Sequence, residues 1–284
     1  MQLDVPDMAV SLSGQQETVA AVALAAGGFG ASLAVLWLIG WRAWCGRPAV
    51  DPRPHAPVPW SGRDVAGAVL VYVAFQILTV GVMPADTALQ WKLAASGAAM
   101  LAATLATALI LMVLGASGSS LGLSVGWLWD DAGLAVAGLA LLLAPLLGLA
   151  ATLDRFVPYH HAIVDFLKAH RDALSIGIVV FAAVVAAPIA EEFLFRRVLQ
   201  GWLEKRLPQR GGMAAILLSS LAFAAAHVGQ GLAWMPLFFF GLVVGYLARQ
   251  TGSIVPGIFL HSLFNGVSVV LLLLQTAPAA GPAG

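Results

Sequence analysis

Long segments without Asp, Glu, Lys or Arg limit the fold of this sequence more than any other feature. They occupy residues 18–41, 65–85, 93–129, 132–153, 173–190, 211–248 and 250–284. About 20 apolar residues are enough to cross the hydrocarbon core of a bilayer as a helix. Only 10% of the side chains are charged, whereas soluble domains have about 25%. The sequence therefore predicts an integral, multi-pass membrane protein of the all-α class.

Glycine-rich breaks divide these segments into about eight predicted spans of one transmembrane helical bundle. GASGSSLGLS after Leu114 and GQG at 229–231 are both too rich in Gly to continue a helix comfortably. The spans are 18–41, 65–84, 93–114, 132–152, 174–196, 211–228, 232–249 and 254–275. The predicted organisation is a short N-terminal segment 1–17, transmembrane helices 18–153 with a Pro-rich linker 46–62, a second helical group 174–275 and a C-terminal tail 276–284.

The distribution of Lys and Arg over alternating sides predicts an orientation. Ten of the 14 basic residues lie on one side, which the positive-inside rule makes cytoplasmic. They are Arg42, Arg47, Arg53, Arg63, Arg196, Arg197, Lys205, Arg206, Arg210 and Arg249. The linker is predicted to be extended and residues 161–173 to form a short interfacial helix. An aromatic belt is predicted for Trp41, Trp44, Trp60 and Trp91.

Charge and cysteine content exclude several classes of protein. The formal net charge is zero and no run of Lys or Arg occurs, so we expect no nucleic-acid partner. The single cysteine, Cys45, excludes an intramolecular disulfide framework and a thiolate metal cluster. The expected partners are the lipid bilayer and molecules associated with it.

The most unusual polar feature is a pair of adjacent acidic residues, Glu191 and Glu192, after eighteen uncharged residues. A charged group inside a span costs roughly 2.5 to 3.5 kcal/mol on insertion scales, so the pair needs an explanation. Glu192 and Arg196 are four residues apart and share one helix face. Glu191 is rotated from that face by about 100°. One carboxylate is therefore expected to be structural and the other available.

Two further polar pairs lie in later spans. Phe223 and His227 are four residues apart, and so are His261 and Asn265, so each pair shares a helix face. Counted from the predicted span ends, these groups and Glu191 lie about 10 to 24 Å deep. These depths overlap loosely and are compatible with a common cavity.

A buried glutamate with two histidines and an asparagine can hydrolyse a peptide bond. Glu191 is suited to take a proton from water, and His227 to orient that water or share the proton. His261 and Asn265 are suited to donate hydrogen bonds to the oxyanion of the tetrahedral intermediate. Phe223 is expected to have a packing role.

These three motifs resemble those of the CPBP intramembrane protease family, which includes type II CAAX prenyl endopeptidases and bacteriocin-processing or self-immunity proteins. The resemblance covers about residues 174–270 and makes 174–275 a candidate catalytic membrane core. It implies a helical intramembrane endopeptidase in which Glu191 is the catalytic base. It also implies that His227, His261 and Asn265 complete the site, with Glu192 and Arg196 in support.

The choice between a metal-free and a metal-dependent site stays open at the level of sequence. Glu191, His227 and His261 are enough in number to hold Zn²⁺ with an open position. No His-Glu-x-x-His motif occurs, however, and Asn265 is a better oxyanion donor than zinc ligand. We favour a site without metal, with zinc as the alternative.

A rhomboid-like serine protease is a competing interpretation. Residues 115–118 match a Gly-x-Ser-Gly nucleophile loop around Ser117, and residues 226–229 resemble the base helix of that family. Rhomboids place a His-x-x-x-Asn pair before the nucleophile, whereas His261 and Asn265 follow it. The glutamate pair would also have no role.

Two non-proteolytic interpretations remain. Membrane carboxylates and histidines also relay protons in transporters, although no inverted repeat is visible. A non-catalytic immunity or scaffold protein would bind a target without cutting it. For the favoured enzyme, the expected substrate is a membrane-anchored or membrane-inserting peptide, since a deep site is reached most easily from within the bilayer. The Ala-rich composition favours a bacterial inner (plasma) membrane.

Overall fold

The computed structural model describes residues 5–55, 57–124, 126–157, 162–207 and 212–275, and the regular secondary structure of these residues is entirely helical. The all-α class is therefore confirmed. The helices are α1 (Val5–Trp44), α2 (Gly62–Gln76), α3 (Leu89–Val113), α4 (Leu128–Asp154), α5 (Ala162–Ala169), α6 (Ala173–Arg206), α7 (Met213–Ala225), α8 (Trp234–Thr251) and α9 (Val255–Gln275). A π-helical turn, Ile77–Gly81, extends α2, and a short 3₁₀ helix, Ser119–Leu121, precedes α4.

Each of the eight predicted spans corresponds to one of these helices. Six helices of the described chain, α1, α2 with its π-helical turn, α3, α4, α6 and α9, are long and apolar enough to cross a membrane. The other two predicted spans are α7, with 13 residues, and α8, with 18. At about 20 Å, α7 is shorter than the hydrocarbon core of about 30 Å. The chain after α7 therefore turns at membrane depth.

Both predicted glycine breaks are present. Gly115 has a φ of +98° directly after α3, and Gly229 has a φ of +110° between α7 and α8. Only glycine adopts such angles without strain, so the two helices end there. At the N-terminus, α1 begins at Val5, so the helix also includes most of the predicted segment 1–17. The predicted tail 276–284 and Arg210 lie outside the described residues.

The long helix α6 lies at the centre of the bundle. It packs against α2, α3, α7, α8 and α9, whereas α1 packs mainly on α4. Large apolar side chains on α1, such as Leu33 and Trp37, are exposed, as expected for a helix that faces lipid. The glutamate pair therefore lies on the candidate span with the largest buried share.

Four connections meet at one end of the bundle. Arg53 N donates to Gln250 O at 2.7 Å, and Ile254 N donates to Gly122 O at 2.9 Å. Lys205 Nζ donates to Trp60 O at 3.0 Å. The connections after α1, α3, α6 and α8 thus share a side, as alternating crossings require. Which membrane face this end occupies stays a prediction.

The Pro-rich linker is non-helical, as predicted, but it is packed on the bundle instead of being free. Val58 and Trp60 are 3% and 4% exposed. The Trp60 indole donates to Val198 O at 3.0 Å. The assignment of Trp60 to an aromatic belt is therefore wrong, because its ring fills the end of the core beside α6. The short helix predicted at 161–173 is present as α5, and His161 lies outside the described residues.

Candidate active site

The glutamate pair lies at an irregular point of α6. Two π-helical stretches, Val180–Ala186 and Glu192–Gln200, flank a short α-helical turn, Ala187–Glu191, which begins with a proline at its second position. The missing N–H of proline and the π-helical register change which carbonyls are bonded within the helix. Such bulges occur frequently at functional sites. The irregularity lets both adjacent glutamates approach α9.

His261 on α9 lies between the two glutamates. Its Nδ1 is 3.0 Å from Glu192 Oε1, and its Nε2 is 3.9 Å from Glu191 Oε2. The Glu192 side chain is fully buried, whereas that of Glu191 is 18% exposed. The loosely overlapping depths predicted for these residues thus meet in one place, where α6 and α9 pack together. One carboxylate is enclosed and the other is accessible.

The enclosed carboxylate is held by an arginine and by a close backbone approach. Arg196 Nε is 3.3 Å from Glu192 Oε2, so the predicted pair on one helix face exists. A Cβ added to Gly257 would be 3.1 Å from Glu192 Oε2. The absence of a side chain at Gly257 thus allows α9 to lie directly on the carboxylate. Glu192 accepts hydrogen bonds on both oxygens.

Aromatic rings form one wall of the site. The Phe223 ring is fully buried, and its centroid is 4.9 Å from that of His227 and 6.0 Å from that of His261. The Arg196 guanidinium lies 5.1 Å from the Phe223 ring centroid, in a cation–π arrangement. Phe240 packs against His261 from α8, with the ring centroids 5.0 Å apart. The predicted packing role of Phe223 matches these contacts.

His227 lies at the edge of the site, in the turn that follows α7. Its Nδ1 is 2.8 Å from Phe223 O, which leaves Nε2 as the ring nitrogen available to a ligand. The side chain is half-buried. Its imidazole is within electrostatic range of Glu191. Backbone outside regular helix is tolerated at membrane depth where it is enclosed by protein or lines a cavity, and this turn provides such a position.

Asn265 lies one turn beyond His261 on α9, and its side chain bonds to the backbone of α6. Its Nδ2 donates to Ala183 O, in the first π-helical stretch of α6, at 2.8 Å. One of its two amide hydrogens is thus used to hold α9 against α6, and the second remains for another acceptor. The structure therefore brings Glu191, Glu192, Arg196 and His261 into one network, with His227 and Asn265 at its edges.

The zinc-ligand set considered in the sequence consists of Glu191, His227 and His261. Within the described residues, no group of three or more His, Cys, Asp or Glu side chains is placed to hold a metal ion. The Nδ1 atom of His261 is engaged with Glu192, and Nδ1 of His227 with a backbone carbonyl. The Nε2 atom of each ring is the nitrogen left for a ligand, so these hydrogen bonds agree with either a metal-free site or a zinc site.

Ser117, the nucleophile of the rhomboid-like interpretation, does not meet His227. Its Oγ lies 2.9 and 2.8 Å from the hydroxyls of Ser119 and Ser120, in the exposed connection after α3. That connection shares an end of the bundle with the start of α7, whereas His227 follows the opposite end of α7. The rhomboid-like interpretation is therefore wrong for this pair.

Two residues near the site escaped sequence reasoning because they belong to early, uniformly apolar spans. The Tyr72 hydroxyl on α2 donates to Ala190 O at 3.2 Å, and it lies 2.7 Å from Thr104 Oγ1 on α3. Ala190 directly precedes Glu191. A tyrosine and a threonine in neighbouring spans give no sequence signal of contact, so only the packing of α2 and α3 on α6 reveals them.

Fold and site together define a polytopic helical membrane protein with a buried carboxylate–imidazole network. Comparison with known families agrees: residues 173–267 match the family described as type II CAAX prenyl endopeptidase Rce1-like. This range contains every site residue predicted from the three motifs. The predicted resemblance to that family is thereby confirmed for this part of the chain.

One curated relative is the membrane-embedded CAAX protease MroQ of Staphylococcus aureus (strain USA300). It is 31% identical over 107 residues, which are 36% of this chain and 42% of the relative. The matched region thus spans less than half of that protein. No solved structure matches the chain.

Proposed function

We propose that this chain is an intramembrane endopeptidase in which Glu191 is the general base. The observation that carries this proposal is the unequal environment of the two glutamates around His261. Glu192 is fully enclosed and paired with Arg196, whereas Glu191 is 18% exposed and has no arginine partner among the described residues. A base must be reached by water and substrate, and only Glu191 meets that requirement.

The proposed reaction uses groups already in place. Glu191 takes a proton from water as the water oxygen attacks the carbonyl carbon of the scissile bond. His227, with Nε2 available, orients that water. The proton then passes from Glu191 to the leaving amine as the carbon–nitrogen bond breaks, which restores the carboxylate. No step in this scheme passes through a metal.

The developing oxyanion needs donors, and His261 and Asn265 are the proposed ones. His261 gives its Nδ1 hydrogen to Glu192, so donation from Nε2 requires the doubly protonated ring. Asn265 has one amide hydrogen left after its bond to Ala183. The orienting role of Glu192 resembles that of a carboxylate behind a catalytic histidine.

The proposed substrate is a membrane-anchored or membrane-inserting peptide, and the proposed location is a bacterial plasma membrane. The site lies among helices long enough to span a bilayer, so a segment already in the bilayer reaches it with least cost. The staphylococcal relative, whose name describes a CAAX protease embedded in a membrane, supports both parts. The family match also favours proteolysis over proton transport or a binding-only role.

The test is cleavage of a panel of membrane-anchored peptides by purified protein in lipid vesicles. We expect Glu191→Gln to lower kcat by about 10² to 10⁴-fold, the usual contribution of a general base. Ser117→Ala is the control and should retain wild-type kcat, because its hydroxyl contacts only neighbouring serines. Cleavage that survives Glu191→Gln would refute the assignment. Binding of a peptide without cleavage would indicate the immunity or scaffold alternative.

A further inference from the structure

A row of polar residues runs along α6 from the site to the end of the helix. Glu192, Arg196, Gln200 and Glu204 follow one another at intervals of four and face the interior of the bundle. The first three are 0%, 3% and 1% exposed. The side chain of Glu204 is 19% exposed. The row spans about 18 Å of helix, so it connects an enclosed carboxylate with the end of the bundle where the linker docks.

A serine from α7 completes the row. Arg196 Nη1 donates to Ser219 Oγ at 3.3 Å, and Ser219 Oγ donates to Gln200 Oε1 at 3.0 Å. Gln200 Nε2 donates to Glu204 Oε1 at 3.0 Å. Ser219 is itself fully buried. A continuous chain of hydrogen bonds thus joins Glu204 to Arg196, and Arg196 to Glu192.

The donors can be assigned at Gln200 and at Arg196. Gln200 Nε2 faces a carboxylate and, at 2.8 Å, the backbone carbonyl of Gly245, so its two hydrogens are both used. Its Oε1 must then accept from Ser219. The Ser219 oxygen in turn accepts from Arg196. The Ser219 hydroxyl also lies 3.1 Å from Ile216 O, so its hydrogen has two acceptors, whereas the Gln200 amide nitrogen and the Arg196 guanidinium act as donors, and the chain supports the guanidinium.

The guanidinium depends on this support. Arg196 Nε faces Glu192, whereas Nη2 has no hydrogen-bond partner among the described residues. Ser219 is therefore the acceptor that, with Glu192, determines the orientation of the guanidinium plane. Glu192 in turn accepts the hydrogen on Nδ1 of His261, through the 3.0 Å contact, and so orients the ring.

We propose that Ser219, Gln200 and Glu204 are positioning residues for the active site. They hold Arg196, and through it Glu192, so that the Nε2 atom of His261 faces Glu191 and the substrate. This inference rests on the proposed function for its effect on catalysis. The control of the His261 ring by this chain of hydrogen bonds can be tested without a substrate.

Ser219 and Ser220 form a matched pair for the test. Both are fully buried on α7 and adjacent in sequence. Ser219 is bonded to Arg196 and Gln200, whereas Ser220 Oγ has no hydrogen-bond partner among the described residues. Alanine at either position removes one buried hydroxyl. Only alanine at 219 interrupts the chain.

In the cleavage assay, we expect Ser219→Ala to lower kcat about 10-fold or more with little change in KM, as for other groups that orient a catalytic ligand. Ser220→Ala should match the wild type. Ser219→Thr restores a hydroxyl and should recover most of the lost activity. A loss of activity common to both alanine variants, or to neither, would overturn the proposal, and thermal unfolding of each variant checks that it is folded.

A second readout needs no substrate. In ¹⁵N-histidine-labelled protein, the ring nitrogen signals of His261, assigned by their loss in His261→Gln, report its tautomer and charge. We expect these signals to move in Ser219→Ala and to stay in place in Ser220→Ala and Ser219→Thr. Unchanged signals in Ser219→Ala would refute the positioning role. If no peptide is cleaved by wild-type protein, the proposed function fails while this experiment still decides the inference.

Discussion

His261 Nδ1 and Glu192 Oε1 lie 3.0 Å apart at a point where neither side chain is more than 5% exposed. This hydrogen bond joins α9 to α6 at the level of the second glutamate. It directs the other ring nitrogen toward Glu191, the more accessible carboxylate. The different roles expected for the two glutamates thus follow from their positions beside the two nitrogens of one imidazole.

The buried pair of Glu192 and Arg196 should be strongly coupled in stability. Glu192→Gln leaves a buried guanidinium without a counter-charge, and we expect a loss of about 3 kcal/mol in the free energy of unfolding. Adding Arg196→Met to that variant should restore part of the loss.

Asp51→Asn is the control. Its 2.7 Å bond to Arg42 joins a carboxylate that is 74% exposed, so the cost should stay below about 1 kcal/mol. Denaturant unfolding in detergent measures these three variants and Arg196→Met alone, and a double variant whose loss equals the sum of the two single losses would contradict the coupling.

Gly257 should resist substitution because α9 lies directly on Glu192. In Gly257→Ala, the new methyl group would be 3.1 Å from Oε2 of Glu192, so either the carboxylate or the helix must move. We expect a destabilisation of about 1 to 3 kcal/mol together with reduced cleavage. Gly148→Ala makes only an ordinary 3.6 Å contact with Phe29 and should be neutral or stabilising. Equal melting temperatures for the two variants would show that the close approach does not matter.

Tyr72 should support the backbone beside Glu191. Tyr72→Phe removes the hydroxyl that bonds to Ala190 O and contacts Thr104, so we expect a loss of about 1 kcal/mol in stability and a lower kcat. Tyr246→Phe removes a hydroxyl that accepts only a 3.4 Å bond from the linker backbone at Val50, and its kcat should be unchanged. If both variants lower kcat alike, the effect of Tyr72 is not specific to the site.

A strong chelator should leave cleavage intact. The proposed reaction uses Glu191 as the base and passes no step through a metal, and within the described residues no group of three or more His, Cys, Asp or Glu side chains is placed to hold one. Incubation with chelator, dialysis and assay of kcat test this expectation, with added Zn²⁺ as the reverse step. Loss of activity that Zn²⁺ restores would instead assign Glu191, His227 and His261 as ligands.

Acid should weaken the start of α6 through Asp172. The Ser175 hydroxyl and backbone N–H both donate to its carboxylate, at 2.7 and 3.0 Å, and these bonds lower the pKa of Asp172 below its ordinary value of 3.8. A lowered pKa means that the carboxylate stabilises the fold above the ordinary value and loses this effect as the pH falls through the folded pKa. Asn also caps helices but does not titrate. The melting temperature of wild type should therefore fall more steeply below pH 4 than that of Asp172→Asn.

Much of the architecture follows from local sequence properties. Uncharged segments of about 20 residues can satisfy their backbone in a bilayer only as helices, so the class and the approximate number of spans were predictable. Gly115 and Gly229 have positive φ in the connections after α3 and α7, and the Gly-rich breaks expected there are a local property of the sequence. The i, i+4 pairing of Glu192 with Arg196 is equally local and was correctly expected.

What the sequence determined by itself is therefore the set of helices and the polar residues that they carry. Only the tertiary structure decided that His261 lies between the two glutamates, that Asn265 bonds to α6, and that Tyr72 approaches from α2. It also joined Ser219 to the row on α6, although the interval of four from Glu192 to Glu204 was visible in the sequence. The physical reason is that helix periodicity depends on neighbours along the chain. Contacts between helices depend on crossing positions and on where small residues permit close approach.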